Sequence, residues 1–272
     1  MRYMHQFEER NYDRHRRDAM ASERLTGSPH VVDMYGFCGN SGVFEFGSGG
    51  DASDFIYNNK SKAYTYLQAL KIAVEVAQGI NSVHTYFSDE SHGVIMENGS
   101  VSKVYSSIAH TDVVSGQFIL INGKYKLNDF NRCRFILWNE SSKAPCTYTV
   151  ANNPGKLRSP EEYAYAPQTE KVDVYSMGVI FYELLEKKWP FEELDEKVAK
   201  TKTMSGERSE FSKNTLRNAD LNPAAAALVK AVEMCWRQNW NDRASAEEIF
   251  NFLSFELEKI EDKKEEASKK EN

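Results

Sequence analysis

The apolar and polar positions divide the chain into a charged opening, a β-rich stretch, a striped helix, a hairpin and a helical second half. Residues 5 to 25 are charged and lack Gly and Pro, which predicts a helix, with Arg14 and Asp18 one turn apart and able to pair on its surface. Thr26-Gly27-Ser28-Pro29 stops it. His30 to Gly39 and Val43 to Phe46 are β-rich and lead into Gly47-Ser48-Gly49-Gly50-Asp51, a run that by itself reads as a flexible linker. Tyr64 to His84 carries Leu67, Leu70, Val74 and Ala77 at helical spacing, with Ile72, Val76, Ile80 and Val83 widening the stripe. Phe87 to Ser107 is polar and glycine-bearing, reads as an insertion or mobile loop, and receives no chemistry. Val172 to Leu185 is apolar nearly all round, as a helix buried at a domain centre must be. Ala224 to Trp236 is a further helix, and the charged tail 259–272 reads as a fraying helix running into disorder.

The chemistry concentrates between His110 and Asn131. Phe118 to Ile121 and Lys124 to Leu127 flank Asn122-Gly123, a strong short-range hairpin signal because both turn residues take positive φ. The open end of such a hairpin sets Gln117 beside Asn128. Asp129 then lies next to Gln117, with Asp112 on the loop before it. Two carboxylates and an amide oxygen at one mouth suit a magnesium-phosphate site.

This segment resembles the catalytic core of protein kinases: His-x-Asp, four residues, a metal-binding amide, a hairpin, then Asp-Phe. Ser159-Pro160-Glu161 resembles the family's Ala-Pro-Glu motif, and Asp173 opens the buried helix as the family's helix F does. The resemblance covers roughly residues 5 to 255. It implies an α+β protein-kinase-like fold with a mainly helical C-lobe and a partial N-lobe of helix C and strands four and five, the first strands missing. Residues 1–46 would be the N-lobe remnant and 47–258 the C-lobe. It implies ATP and Mg2+ as cofactors and a protein substrate or protein partner. Asp112 and His110 fall in the catalytic loop, Asp112 as the base. Asp129 and Gln117 would hold the metal. Phe44 would be the gatekeeper, Glu45, Phe46 and Gly47 the hinge, and Ile119 would pack under the adenine. Phe130 joins His110 in an internal apolar column, Asp173 accepts backbone N–H groups of the catalytic loop, and Glu161 pairs with Arg243. Ser141, Ser142, Thr147, Tyr148 and Thr149 lie in the activation segment as candidate phosphorylation sites.

Several positions depart from the family pattern. Thr111 replaces the arginine that reads a phosphorylated activation loop, so switching of that kind is absent or rerouted. Gln117 replaces asparagine, and its extra methylene moves the ligating oxygen by about a bond length where magnesium demands tight geometry. Asn131 replaces the glycine after Asp-Phe and is expected to accept the positive φ there. Val114 stands where serine/threonine kinases carry lysine. Neither a glycine-rich phosphate loop nor a Val-Ala-Ile-Lys-like strand is found, and neither Asp18 nor Glu23 can be assigned as the helix C glutamate. A phosphotransferase and a pseudokinase scaffold without turnover both remain open on these residues.

Composition narrows the rest. A charged content of 27% and a hydrophobic content of 41% are those of a folded globular chain. A net charge of −6 argues against general nucleic-acid binding. Cys38, Cys133, Cys146 and Cys235 show no paired spacing, and no stretch is apolar enough to cross a membrane. These features point to a reduced, intracellular, cytoplasmic setting.

Overall fold

A computed structural model describes residues 9–39, 41–58, 64–86, 94–97, 100–104 and 106–271. Helix α1 (Glu9–Leu25) opens the described chain and ends where the Thr26 hydroxyl donates to the Ser22 carbonyl at 2.7 Å. Strands β1 (Met34–Cys38) and β2 (Ser41–Phe44) pair antiparallel, Met34 opposite Phe44. Helix α2 (Tyr66–His84) starts at a capping box: the Thr65 hydroxyl accepts the Gln68 N–H, and the Gln68 side chain reaches back to the Thr65 N–H. All of the widening positions pack, but only half of the narrower stripe does. Leu70, Ile72, Val76, Ala77, Ile80 and Val83 are buried, whereas Leu67 and Val74 are partly exposed.

The stretch read as an insertion or mobile loop contains a hairpin of β3 (Val94–Glu97) and β4 (Ser100–Val104). Strand β5 (Ile108–Ala109) then enters the site loop and pairs with β8 (Arg134–Phe135), which leaves it. Between them lie β6 (Phe118–Ile121) and β7 (Lys124–Leu127), with Ile121 opposite Lys124. Asn122 at φ 51° and Gly123 at φ 79° form the two-residue turn that the Asn-Gly pair predicts. The Val32 N–H donates to the Leu127 carbonyl and the Leu127 N–H to the His30 carbonyl, both at 2.9 Å, so this hairpin is stitched to the strand region that follows α1.

Strands β9 (Trp138–Asn139) and β10 (Ala144–Pro145) follow, then the one-turn helix α3 (Pro160–Tyr163). Helix α4 (Lys171–Glu186) is the centre of the molecule. Every residue from Val172 to Leu185 is buried, which the all-round apolar pattern requires. Helices α5 (Glu196–Ser205) and α6 (Lys213–Leu221) lead to α7 (Pro223–Cys235), which packs on α4, and α8 (Ala246–Glu271), which packs on α2 and α7. The charged tail continues α8 as far as Glu271, with its described side chains exposed beyond Ile260. A single apolar cluster runs from Ala21 and Leu25 through α2, the β6–β7 hairpin and α4 to Leu253. The helix-rich body and the small lobe of α1, β1 and β2 make a kinase-like α+β fold with a reduced N-lobe among the described residues.

Candidate active site

The site is built upward from Asp173. A carboxylate 1% exposed at the start of α4 costs several kcal/mol to bury unless it is hydrogen-bonded. Asp173 meets that demand with Oδ2, which accepts the His110 N–H at 2.7 Å and faces His84 Nε2 at 3.0 Å, and with Oδ1, which accepts the Thr111 N–H at 2.7 Å. These bonds hold Thr111 at φ 59°, a left-handed conformation that a β-branched residue rarely adopts. The Thr111 hydroxyl secures it from the other side by donating to the Arg132 carbonyl at 2.7 Å. Strain of this kind persists only where surrounding contacts over-determine it, and such places cluster at functional sites.

The second loop is fixed to the first. The Asp112 N–H donates to His110 Nδ1 at 3.2 Å, so the ring proton sits on Nε2, which donates to the Asn128 carbonyl at 3.0 Å. The His110 ring meets Phe130 edge-on, with centroids 4.9 Å apart. His110 is therefore a buried brace between the loops, with both nitrogens engaged, rather than a proton-transfer group. The Asn128 N–H donates to the Gln117 carbonyl at 2.9 Å, as the hairpin geometry requires. Left-handed backbone occurs at Asp129 (φ 68°), not at Asn131 as the sequence suggested. Asn131 lies in the short 3-10 turn that follows, and its amide holds Asp129.

Both acidic groups are gripped by neighbours. Asp129 Oδ1 accepts from Asn131 Nδ2 at 2.6 Å and Oδ2 from Gln117 Nε2 at 3.5 Å, while Arg14 Nη2 reaches Asn131 Oδ1 at 3.5 Å. Asp112 Oδ1 accepts from Arg158 Nη2 at 2.5 Å, with Arg132 Nε 3.8 Å away. Asp18, expected on the helix surface, is 3% exposed and accepts the Phe130 N–H at 2.7 Å, whereas Glu23 is exposed. Burial works against charge on Arg132, reinforced by neighbouring Arg158, and lowers its pKa. Burial opposes charge on Arg158 as well, but Glu162 and Asp112 outweigh it and raise its pKa. Burial pushes the Glu162 carboxyl up to about 7.

The stretch expected to form the hinge runs along β6. The Leu120 N–H donates to the Gly50 carbonyl at 2.9 Å, and Asp51 bridges to Ile119. A Cβ at Gly47 would lie 2.4 Å from the Ile119 side chain, so only glycine permits this approach. Phe44 is half-buried at the end of β2. Glu45 is paired with Lys126 at 2.6 Å, tying the end of β2 to β7. Phe46 points outward, 85% exposed. Glu161 and Arg243 form a forked pair, with Nη1 to Oε1 at 2.7 Å and Nη2 to Oε2 at 3.2 Å. In the activation segment Tyr148 is built into the structure, its hydroxyl donating to the Thr169 carbonyl at 3.0 Å, while Ser141, Ser142, Thr147 and Thr149 are exposed.

Asp129 and Gln117 supply hard oxygen donors, a carboxylate and an amide, of the kind magnesium takes alongside phosphate oxygens and water. Among the described residues no group of three His, Cys, Asp or Glu side chains gathers into a metal cage. One or two carboxylates plus substrate phosphates is the usual magnesium arrangement, so the donor set fits that ion.

Comparison with known proteins agrees with this architecture. Residues 3–253 match the family described as protein kinase domain. A probable serine/threonine-protein kinase of Dictyostelium discoideum is 29% identical over 181 residues, 66% of this chain and 18% of its own length. A probable LRR receptor-like serine/threonine-protein kinase of Arabidopsis thaliana is 30% identical over 167 residues, 59% of this chain and 16% of its own. The probable serine/threonine-protein kinase roco8 of Dictyostelium discoideum is 26% identical over 246 residues, 85% of this chain and 11% of its own. The chain thus spans less than a fifth of the length of these relatives. With the family pattern matched over nearly all of the helical body, and the first loop pinned to Asp173 and joined through His110 to the second, this chain belongs to the protein kinase domain family.

Proposed function

We propose that this chain binds ATP with magnesium and transfers the terminal phosphoryl group to a protein hydroxyl. Asp112 orients the acceptor hydroxyl and takes its proton; Asp129, with Gln117, holds the metal; the hinge at Glu45–Gly47 and Ile119 seat the base of the nucleotide. Magnesium, when bound, neutralises charge developing on the phosphate oxygens. Everything else the chain contributes is position. Asp173 fixes the backbone before Asp112, His110 joins that loop to the one bearing Asp129, and Asp18 fixes the turn at Phe130. The carrying observation is that one buried ring joins the loop bearing Asp112 to the loop bearing Asp129: His110 Nδ1 accepts the Asp112 N–H and its Nε2 meets the Asn128 carbonyl.

A scaffold that binds nucleotide or protein without turnover is the second reading. What favours it is that Asp129 and Asp112 already spend carboxylate oxygens on Asn131, Gln117 and Arg158. Radiolabelled ATP with a generic protein acceptor separates the two. Transfer by the wild type that Asp112→Asn abolishes supports the phosphotransferase; ATP-induced thermal stabilisation without transfer supports the scaffold. Absence of any thermal shift with ATP and magnesium overturns nucleotide binding altogether.

A further inference from the structure

We propose that Arg158 is a positioning residue for Asp112, and that the activation segment sets the orientation of that acid through Arg158 without needing a phosphate. The inference deepens the phosphotransfer reading and rests on it for the role of Asp112. It starts from charge placement. The catalytic loop from His110 to Gln117 contains no Lys or Arg. Thr111 and Val114 stand where the resemblance leads one to expect cations. The positive charge at Asp112 comes from the opposite side, from the residue just before Ser159-Pro160-Glu161.

Arg158 is prepared for that task at both ends. Its backbone N–H donates to the Tyr163 hydroxyl at 3.1 Å. The next residue opens a capping box, in which the Ser159 N–H and hydroxyl donate to Glu162 Oε2 at 2.8 and 2.9 Å. Pro160 stiffens the first turn of α3. From this anchored base the guanidinium makes a fork. Nη1 donates to the Thr111 carbonyl at 2.7 Å and Nη2 to Asp112 Oδ1 at 2.5 Å. A planar fork that grips both a backbone carbonyl and the following carboxylate fixes the carboxylate rotamer, which a lysine point charge would not do. Oδ1 is thereby committed, and the orientation of Oδ2 is determined by the same contact.

Arg132 repeats the connection from the other loop. Its Nη2 donates to the Asn152 carbonyl at 3.0 Å, its own carbonyl receives the Thr111 hydroxyl, and its Nε lies 3.8 Å from Asp112 Oδ1. The activation segment is thus tied to both loops by arginines already present in the chain. The exposed hydroxyls of Thr147 and Thr149 are not needed to order it.

The test uses the full chain with R158Q, R158K, D112N and the R158Q/D112N double variant. Thermal unfolding gives a double-mutant cycle, and hydrogen exchange over residues 141–158 reports the order of the segment before and after phosphatase treatment. Coupling predicts non-additive melting shifts, partial recovery in R158K, and exchange that R158Q accelerates but phosphatase leaves unchanged. Additive shifts, or a segment ordered only when phosphorylated, overturn the proposal. Where transfer is measurable, R158Q lowers kcat by roughly ten- to hundredfold with the KM for ATP unchanged, the signature of a misplaced acceptor group rather than lost nucleotide binding. A loss confined to the KM for ATP also overturns it. A wild type that transfers nothing counts against the phosphotransfer reading alone, because the unfolding cycle and the exchange data still decide whether the segment positions Asp112.

Discussion

Asp18 accepts the backbone N–H of Phe130 at 2.7 Å across 112 residues of chain, joining helix α1 to the turn that carries Asp129. Phe130 is 1% exposed, so its N–H has no water to fall back on. Asp18→Ala strands that donor, and the expected loss is about 1–3 kcal/mol of stability in urea unfolding. Asp18→Asn keeps an acceptor and should lose clearly less. Equal losses in the two variants would mean that the contact acts through charge and not through the hydrogen bond.

A second long-range contact has larger stakes. Arg243 has a side chain 0% exposed; besides its fork to Glu161 it donates to the Lys171 carbonyl at 2.6 Å and lies 5.2 Å from the Tyr175 ring. Removing one partner of a buried pair leaves an uncompensated charge, at a cost of about 3–5 kcal/mol. Glu161→Gln is therefore expected to be severely destabilising. Arg243→Lys should be nearly as harmful, because an ammonium cannot reproduce the fork. Limited proteolysis should cut the segment between β8 and α3 faster in both. Unchanged urea midpoints would show that the pair contributes nothing.

The amide at position 117 offers a gain rather than a loss. Gln117 Nε2 stands 3.5 Å from Asp129 Oδ2, at the outer limit of a hydrogen bond. If this amide ligates magnesium, Gln117→Asn removes the surplus methylene and should lower the magnesium concentration that supports ATP-induced thermal stabilisation. Titration of wild type and variant at fixed ATP is the measurement. A variant that needs more magnesium than the wild type would remove Gln117 from the ligand set.

The parts of this molecule legible in the sequence are those whose cause is local. The Asn-Gly turn, the stripe of α2 and the all-round apolar helix α4 are each specified by residues within a few positions of one another, and the structure reproduces them. Glu161, Asp173 and Arg243 became legible through spacing to a known pattern. Asp18, His84, Arg132 and Arg158 were missed because their partners lie far away in sequence and no periodicity marks them. His84 carried one usable signal, a polar residue closing an apolar stripe. Asn131 was misread because residue type alone suggested where positive φ would fall. Backbone bonds to Asp18 and His110 instead press the left-handed conformation onto Asp129. The hairpin of β3 and β4 was also legible locally and was overlooked: Asn98-Gly99 stands between Val94–Glu97 and Ser100–Val104, the same pair that marks the turn between β6 and β7, and the polar residues around it drew the reading toward a loop.

Glu183 sits on α4, 1% exposed, and among the described residues its Oε2 has no hydrogen-bond partner. Burial pushes its carboxyl from 4.5 up to about 7, against the pull of the Ser115 hydroxyl in the catalytic loop. A carboxyl whose folded pKa is raised binds more protons in the folded than in the unfolded state, so stability must fall as pH rises. Its stabilising contribution is complete below about 4.5, declines between there and about 7, and is gone above. Glu162, pushed up in the same direction, adds to the same slope. Urea midpoints of the wild type should therefore decline across this window. Glu183→Gln, which cannot ionise, should flatten the decline without abolishing it, and adding Glu162→Gln should remove most of what remains. The comparison is of slopes, so a uniform change in stability from either substitution does not disturb it. A Glu183→Gln variant as steep as the wild type would show that this carboxyl ionises freely despite its burial.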